Sequence, residues 1–90
     1  MSRYLIEREF PDGLSIPQDE AGANICRTVI ENNAEDGVTW IHSYVTPDRK
    51  RTFCIYDGPT PEAVRRAALR NKLPISAITE VRILDPYFYR

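Results

Sequence analysis

The stretch Val38–Asp57, VTWIHSYVTPDRKRTFCIYD, determines how the rest of the chain is interpreted. Its two runs of β-branched and aromatic residues flank Thr46-Pro47-Asp48-Arg49, where proline and aspartate favour chain reversal. A turn centred near Asp48 predicts a β-hairpin in which His42 lies opposite Cys54.

The two faces of the predicted hairpin differ in character, since side chains on one face recur every second residue. One face is mostly apolar and is predicted to cover the core; it carries Ile41, Ser43, Val45, Phe53 and Ile55. The other face is aromatic and polar and holds the only histidine of the chain; it carries Trp40, His42, Tyr44, Thr52, Cys54 and Tyr56. We therefore predict the functional site on this second face.

The composition limits the classes of protein that need to be considered. A chain of 90 residues predicts a single domain over residues 1–90, small enough that a partner would help to bury its apolar surface. Its 12 basic and 13 acidic side chains give no field that would attract nucleic acid or a membrane surface, so neither is a predicted partner. No run approaches the ~20 apolar residues of a membrane span, and charges interrupt the apolar N-terminal stretch, so the expected location is the cytoplasm.

Two segments carry the signals of a helix start. Ser15 near the cap and Pro17 in the first turn predict a helix over residues 17–34, and Thr60 as the cap with Pro61 at the first helical position predicts a second helix. The periodicity of the first helix places Cys26 on its buried side. The two cysteines have no zinc-finger or CxxC spacing and are interpreted as free thiols.

The remaining segments complete an α+β pattern. Alternation predicts strands over residues 3–10 and 78–84, and the aromatic tail 87–90 is expected to dock on the domain or on a partner. The order strand, helix, strand, strand, helix, strand is the βαββαβ order of ferredoxin-like folds. Right-handed crossovers would place both helices on one face of a four-stranded antiparallel sheet, with the first and third strands in the centre.

This architecture divides the side chains between two sheet faces. The residues predicted to face the helices are Ile41, Val45, Phe53, Ile55, Val81 and Ile83. Those predicted to lie on the opposite face are Glu7, Glu9, Trp40, His42, Tyr44, Cys54, Tyr56, Glu80 and Arg82. An aromatic face of this kind is seldom left bare, so we predict a homodimer in which two sheets pack as a dimeric α+β barrel.

Four stretches also carry a resemblance to a known family: YLIERE at 4–9, VTWIHSYVTPD at 38–48, FCIYDGPTPEAVRR at 53–66 and ITEVRILDP at 78–86. Together they resemble a family of small domains of unknown function, one member of which is described as nickel-binding. The resemblance implies a ferredoxin-like subunit, a homodimer and a bound transition metal. Relatives carry a histidine in the second helix where this chain has Ala67, which weakens the inference of metal binding here.

Two functional hypotheses follow for the predicted site. In the first, His42, Cys54 and Glu7 bind nickel or another transition metal, because imidazole, thiolate and carboxylate are suitable donors. In the second, the protein is a cofactor-free monooxygenase or isomerase acting on a small aromatic molecule, with His42 moving a proton. The pocket for that molecule would be lined by Trp40, Tyr44, Tyr56, Glu80 and Arg82.

A structural interpretation of the same residues stays open. His42 would then make an ordinary hydrogen bond in the sheet, and Cys54 would be a small buried hydrophobic side chain. RNA binding, which this strand order also supports, is disfavoured because Glu7, Glu9 and Glu80 would repel phosphates.

Overall fold

The fold is α+β, with four antiparallel strands and two helices. The computed structural model describes residues 1–16 and 19–87. Its elements are, in chain order, β1 (Ser2–Glu9), α1 (Glu20–Ala34), β2 (Thr39–Val45), β3 (Arg51–Gly58), α2 (Pro61–Arg70) and β4 (Ala77–Val81). The sheet order β2-β3-β1-β4 places the first and third strands in the centre. The predicted βαββαβ ferredoxin-like fold is thereby confirmed.

Each helix begins at a residue whose side chain caps it by accepting a backbone hydrogen bond. At α2, Thr60 is the cap as predicted, and its hydroxyl accepts a hydrogen bond of 3.1 Å from the backbone N–H of Ala63. At α1, the cap is Asp19, whose carboxylate accepts from the N–H of Gly22 at 3.1 Å. The helix thus begins at Glu20, three residues later than predicted, and its cap is Asp19 and not Ser15. Pro17 lies outside the described residues.

The core lies between the sheet and α2. Its buried side chains are Tyr4, Ile6, Val38, Cys54, Tyr56, Ala63, Val64 and Ala67, with Trp40, Ile75 and Ile78 packed against them. Small alanine side chains on α2 let this helix lie close to the central strands. In contrast, α1 buries little of its apolar surface. Its buried residues are Gly22 and Asn33, whereas Ile25 and Ile30 are 44% and 54% exposed.

Several residues that were predicted to face the helices lie elsewhere. Phe53 and Ile55 pair with Glu7 and Leu5 on the face away from the helices, and Val81 pairs with Arg3 there. Among the predicted helix-facing residues, Val45 is on the helix side, opposite the buried Thr52. Ile83 follows the end of β4, which is shorter than predicted, and is 62% exposed.

The hairpin loop explains this reversal. The backbone N–H of Thr46 donates to the Arg51 carbonyl at 3.0 Å, so the loop comprises residues 47–50 and its centre falls between Asp48 and Arg49. This is half a residue beyond the predicted centre at Asp48, and it shifts the register of the two strands by one residue. Asp48 stabilises the loop by accepting from the Thr46 hydroxyl at 2.7 Å and the Lys50 N–H at 3.0 Å. A shift of one residue in register exchanges the two faces of a strand. Cys54 therefore lies opposite Ser43, and the predicted pairing of His42 with Cys54 is wrong.

A β-bulge in β2 places Trp40 and His42 on opposite faces of the sheet, although simple alternation would place them on the same face. The register shifts between Trp40, which pairs with Tyr56, and His42, which pairs with Ile55. Ile41 is the extra residue, and its side chain is 41% exposed instead of facing the core. As a result Trp40 turns toward the helices, while His42 stays on the opposite face.

In the part of the chain that the structure describes, no helix is long and apolar enough to cross a membrane.

Candidate functional site on the open sheet face

The sheet face away from the helices is called here the open face. Its central side chains are Leu5, Glu7, Phe53 and Ile55, flanked by His42 and Tyr44 on β2 and by Ala77, Thr79 and Val81 on β4. The middle of this face is apolar and partly exposed, and both acidic and basic side chains surround it. Surfaces of this composition are typical of interaction sites.

His42 lies at one side of the open face with its imidazole accessible to solvent. Its ring packs edge-on against Tyr44, with 5.1 Å between ring centroids and 84° between ring planes. Tyr44 is itself 63% exposed. The imidazole therefore contacts a neighbour on the same strand and is exposed to solvent.

The structure does not bring the three predicted metal ligands together. Glu7 shares the open face with His42 but lies on β1, with β3 between them, and its carboxylate accepts from Arg51 at 3.3 Å. Cys54 lies on the helix side, 6% exposed, with its thiol 3.6 Å from the Thr52 hydroxyl. Within residues 1–16 and 19–87, no group of three or more His, Cys, Asp or Glu side chains is close enough to hold a metal ion.

The residues predicted to line an aromatic pocket are also divided. Tyr44 is on the open face, whereas Trp40 and Tyr56 line a cavity between the sheet and α1. Trp40 is fixed there by its indole N–H, which donates to the Ser43 hydroxyl at 2.8 Å. Trp40 and Tyr56 therefore point toward the helices, Trp40 because of the bulge in β2 and Tyr56 because of the shifted register of β3.

Glu80 and Arg82 lie at the end of the sheet, away from Trp40 and Tyr56. They line a groove of about 460 Å³ that also contacts Arg3 and Asp57. Arg3 donates two hydrogen bonds to the Asp57 carboxylate, at 2.8 and 3.1 Å, and this bonding holds the pKa of Asp57 below its usual range. Two of the charged side chains that line the groove, Arg3 and Asp57, are therefore paired with each other.

Sequence reasoning missed Arg8, which interrupts the apolar alternation of β1. The structure places Arg8 on the helix side of this central strand, 3% exposed, in the wall of the interior cavity. A charged residue at an inward position of a central strand was the available signal, because such positions are otherwise apolar. Cys26, predicted to lie on the buried side of α1, is partly buried and lines the same cavity.

These observations define the class of protein. The chain is a small ferredoxin-like α+β domain with an accessible imidazole on one sheet face and, on the other, a largely apolar cavity whose wall contains a buried arginine.

Comparison with known proteins then identifies the family. The family described as nickel responsive protein SCO4226-like matches residues 4–81, and the chain belongs to this family. The predicted resemblance to a small nickel-related family is thereby confirmed at this level.

A solved structure supports the fold assignment. The structure of SCO4226 from Streptomyces coelicolor A3(2) superposes with a TM-score of 0.75 and 17% sequence identity, covering 93% of this chain and 100% of that chain. At this identity the likeness shows a shared fold. No curated protein matches the chain.

Proposed function

We propose that this protein is a nickel-responsive binding protein that works as a homodimer, with His42 as a metal ligand at the dimer interface. The observation that carries the proposal is the accessible imidazole of His42 on the open face, in a chain whose family is described as nickel responsive. Imidazole nitrogen is a favourable ligand for nickel and for other divalent transition metals.

A second copy of the chain is needed because the described part of one chain does not supply a complete site. In that part no cluster of three donor side chains surrounds His42. Packing two open faces together would bring donors from the partner copy close to the imidazole, and carboxylates such as Glu7 and Glu9 belong to β1 on the same face or its margin. Interface sites built from both copies follow naturally from two-fold symmetry.

The open face has the composition that such a dimer requires. Its apolar centre, formed by Leu5, Phe53 and Ile55, is partly exposed in the single chain. The acidic Glu7 and the basic Arg51 lie beside each other next to this apolar group, with the Arg51 guanidinium 5.2 Å from the Phe53 ring centroid. A surface with an apolar centre and charges of both signs is complementary to a copy of itself.

Replacing His42 with Ala is expected to weaken nickel binding by more than about 100-fold. Even the loss of residues that only orient metal ligands costs about 10–100-fold, and losing a ligand should cost more. The measurement is calorimetric titration of metal-stripped protein with nickel. Glu31→Ala, a change at an exposed position on α1, is the control and should bind nickel like the wild type.

Cys54→Ser is a second control in the same titration, because Cys54 is buried on the side of the sheet opposite His42. We expect this variant to retain the nickel affinity of the wild type. The proposal would be contradicted by a stripped wild-type protein that takes up no nickel, or by a His42 variant that binds as tightly as the wild type.

A further inference from the structure

A cavity of about 250 Å³ lies between the sheet and α1, on the other side of the sheet from His42. Most of its wall is apolar or aromatic, contributed by Phe10, Leu14, Ile16, Ile25, Val29, Trp40, Val45, Tyr56 and Leu73. Ile25, Cys26 and Val29 of α1 face this space instead of a packed core. Its volume is just below the ~300–1,000 Å³ of typical small-molecule sites.

Arg8 introduces a positive charge into this apolar wall. Its side chain is 3% exposed, and its Nε has no hydrogen-bond partner among the described residues. The ion pairs formed within those residues involve Arg3, Arg51, Arg66 and Arg70, and none involves Arg8. Burial of a cation without a counter-charge is strongly unfavourable, so such groups are usually paired.

The neighbours of Arg8 compensate its charge only in part. Its guanidinium carbon lies 5.6 Å from the centroid of the Tyr56 ring, within the range of a cation–π contact. Burial raises the pKa of the Tyr56 phenol, with the positive charge of Arg8 acting in the opposite direction. Tyr56 therefore stays protonated at neutral pH and offers no negative charge to the guanidinium.

We propose that the cavity binds a small monocarboxylate with a flat apolar body, and that its carboxylate pairs with Arg8. The planar guanidinium matches a carboxylate through two parallel hydrogen bonds. Trp40 and Tyr56 provide aromatic walls for a ring. A phosphate monoester is a poorer match, because Arg8 is the one cationic side chain among the described residues of this wall and the second charge of the phosphate would stay unpaired.

A ligand has a route into the cavity beside residues 14–16. Of the wall residues, Ser15 is exposed, and Ile25 and Val45 are 44% and 48% exposed. The segment 14–16 is attached to the hairpin by the Leu14 N–H, which donates to the Arg49 carbonyl at 2.7 Å. The entrance is therefore framed by the hairpin, residues 14–16 and α1.

The test uses phenylacetate as the probe, with phenylacetamide, phenyl phosphate and acetate as comparison compounds. Binding is measured by calorimetry and by the fluorescence of Trp40, the only tryptophan of the chain and a residue of the cavity wall. We expect phenylacetate to bind at least 10-fold more tightly than each of the three comparison compounds. Failure of phenylacetate to bind, equal binding of the neutral amide, or tighter binding of phenyl phosphate would each overturn the proposal.

Arg8→Met is expected to weaken phenylacetate binding at least 10-fold while the thermal stability of the unliganded protein is unchanged or higher. A purely structural arginine would show the opposite pattern, with lower stability and the same affinity. Arg65→Met, on the exposed side of α2, is the matched control and should leave the affinity unchanged. Val29→Phe provides a second variant that keeps the charge but fills the cavity, and unchanged phenylacetate affinity in this variant would also overturn the proposal.

Discussion

Replacing Ile6 with Ala is expected to lower the free energy of unfolding by about 2–5 kcal/mol, the usual cost of removing a large aliphatic side chain from a close-packed core. Ile6 is 0% exposed on the central strand β1 and belongs to the cluster formed with Tyr4, Cys54 and Val64. Its truncation would leave a cavity that rigid strands on both sides cannot fill. Urea denaturation followed by circular dichroism measures the change.

Leu69→Ala is the matched control, because Leu69 is 77% exposed on α2 and its truncation should change the free energy of unfolding by less than about 0.5 kcal/mol. Both variants need the same protein concentration, since the stability of a dimer depends on concentration. An Ile6 variant that is no less stable than the Leu69 variant would contradict the position of the core.

The second large effect, a loss of dimerisation, is expected from the substitution Ile55→Asp on the open face. If two open faces pack together, this change buries an unpaired carboxylate, which costs several kcal/mol and should weaken dimerisation by more than about 100-fold. The single chain should remain folded, because Ile55 points away from the helices and lies opposite Leu5. Sedimentation equilibrium gives the mass, and circular dichroism confirms the fold.

Ile30→Asp makes the same chemical change on α1, where Ile30 is 54% exposed. This variant should keep the mass of the wild type. A wild-type protein that is monomeric at tens of micromolar, or two variants with equal dimerisation constants, would show that the open face is not the interface.

The fold could be predicted from the sequence because its local signals agree with one another. The threonine cap and the proline at the start of α2 fix one helix, and the alternation of Ile6 with Glu7 fixes the two sides of β1. The order of the elements then leaves few topologies, and the ferredoxin-like one places β1 and β3 in the centre.

The two faces of the hairpin could not be assigned in this way. In β3, both sets of alternating residues are apolar, so the pattern does not distinguish Phe53 and Ile55 from Cys54 and Tyr56. The assignment then depended on the centre of the loop, and the resulting error of one residue in register exchanged the faces of β3. The bulge at Ile41 added a second change of direction that alternation alone does not reveal.

The same error affected the candidate site. His42 was assigned to the open face, where the structure places it, but Cys54, Trp40 and Tyr56 were assigned there with it. Arg8, a charged side chain at an inward position of β1, was not assigned to any site. Two candidate sites on opposite sides of the sheet were therefore interpreted as one.

A nickel titration of the Ile55→Asp variant tests the central claim most directly, because this variant keeps His42 but is expected to be monomeric. If the metal site needs both copies, the variant should bind nickel more than about 100-fold more weakly than the wild type at the same chain concentration, as losing ligands from one copy implies. A folded monomeric variant that binds nickel as tightly as the wild type would contradict the account, because one chain would then hold the metal without its partner.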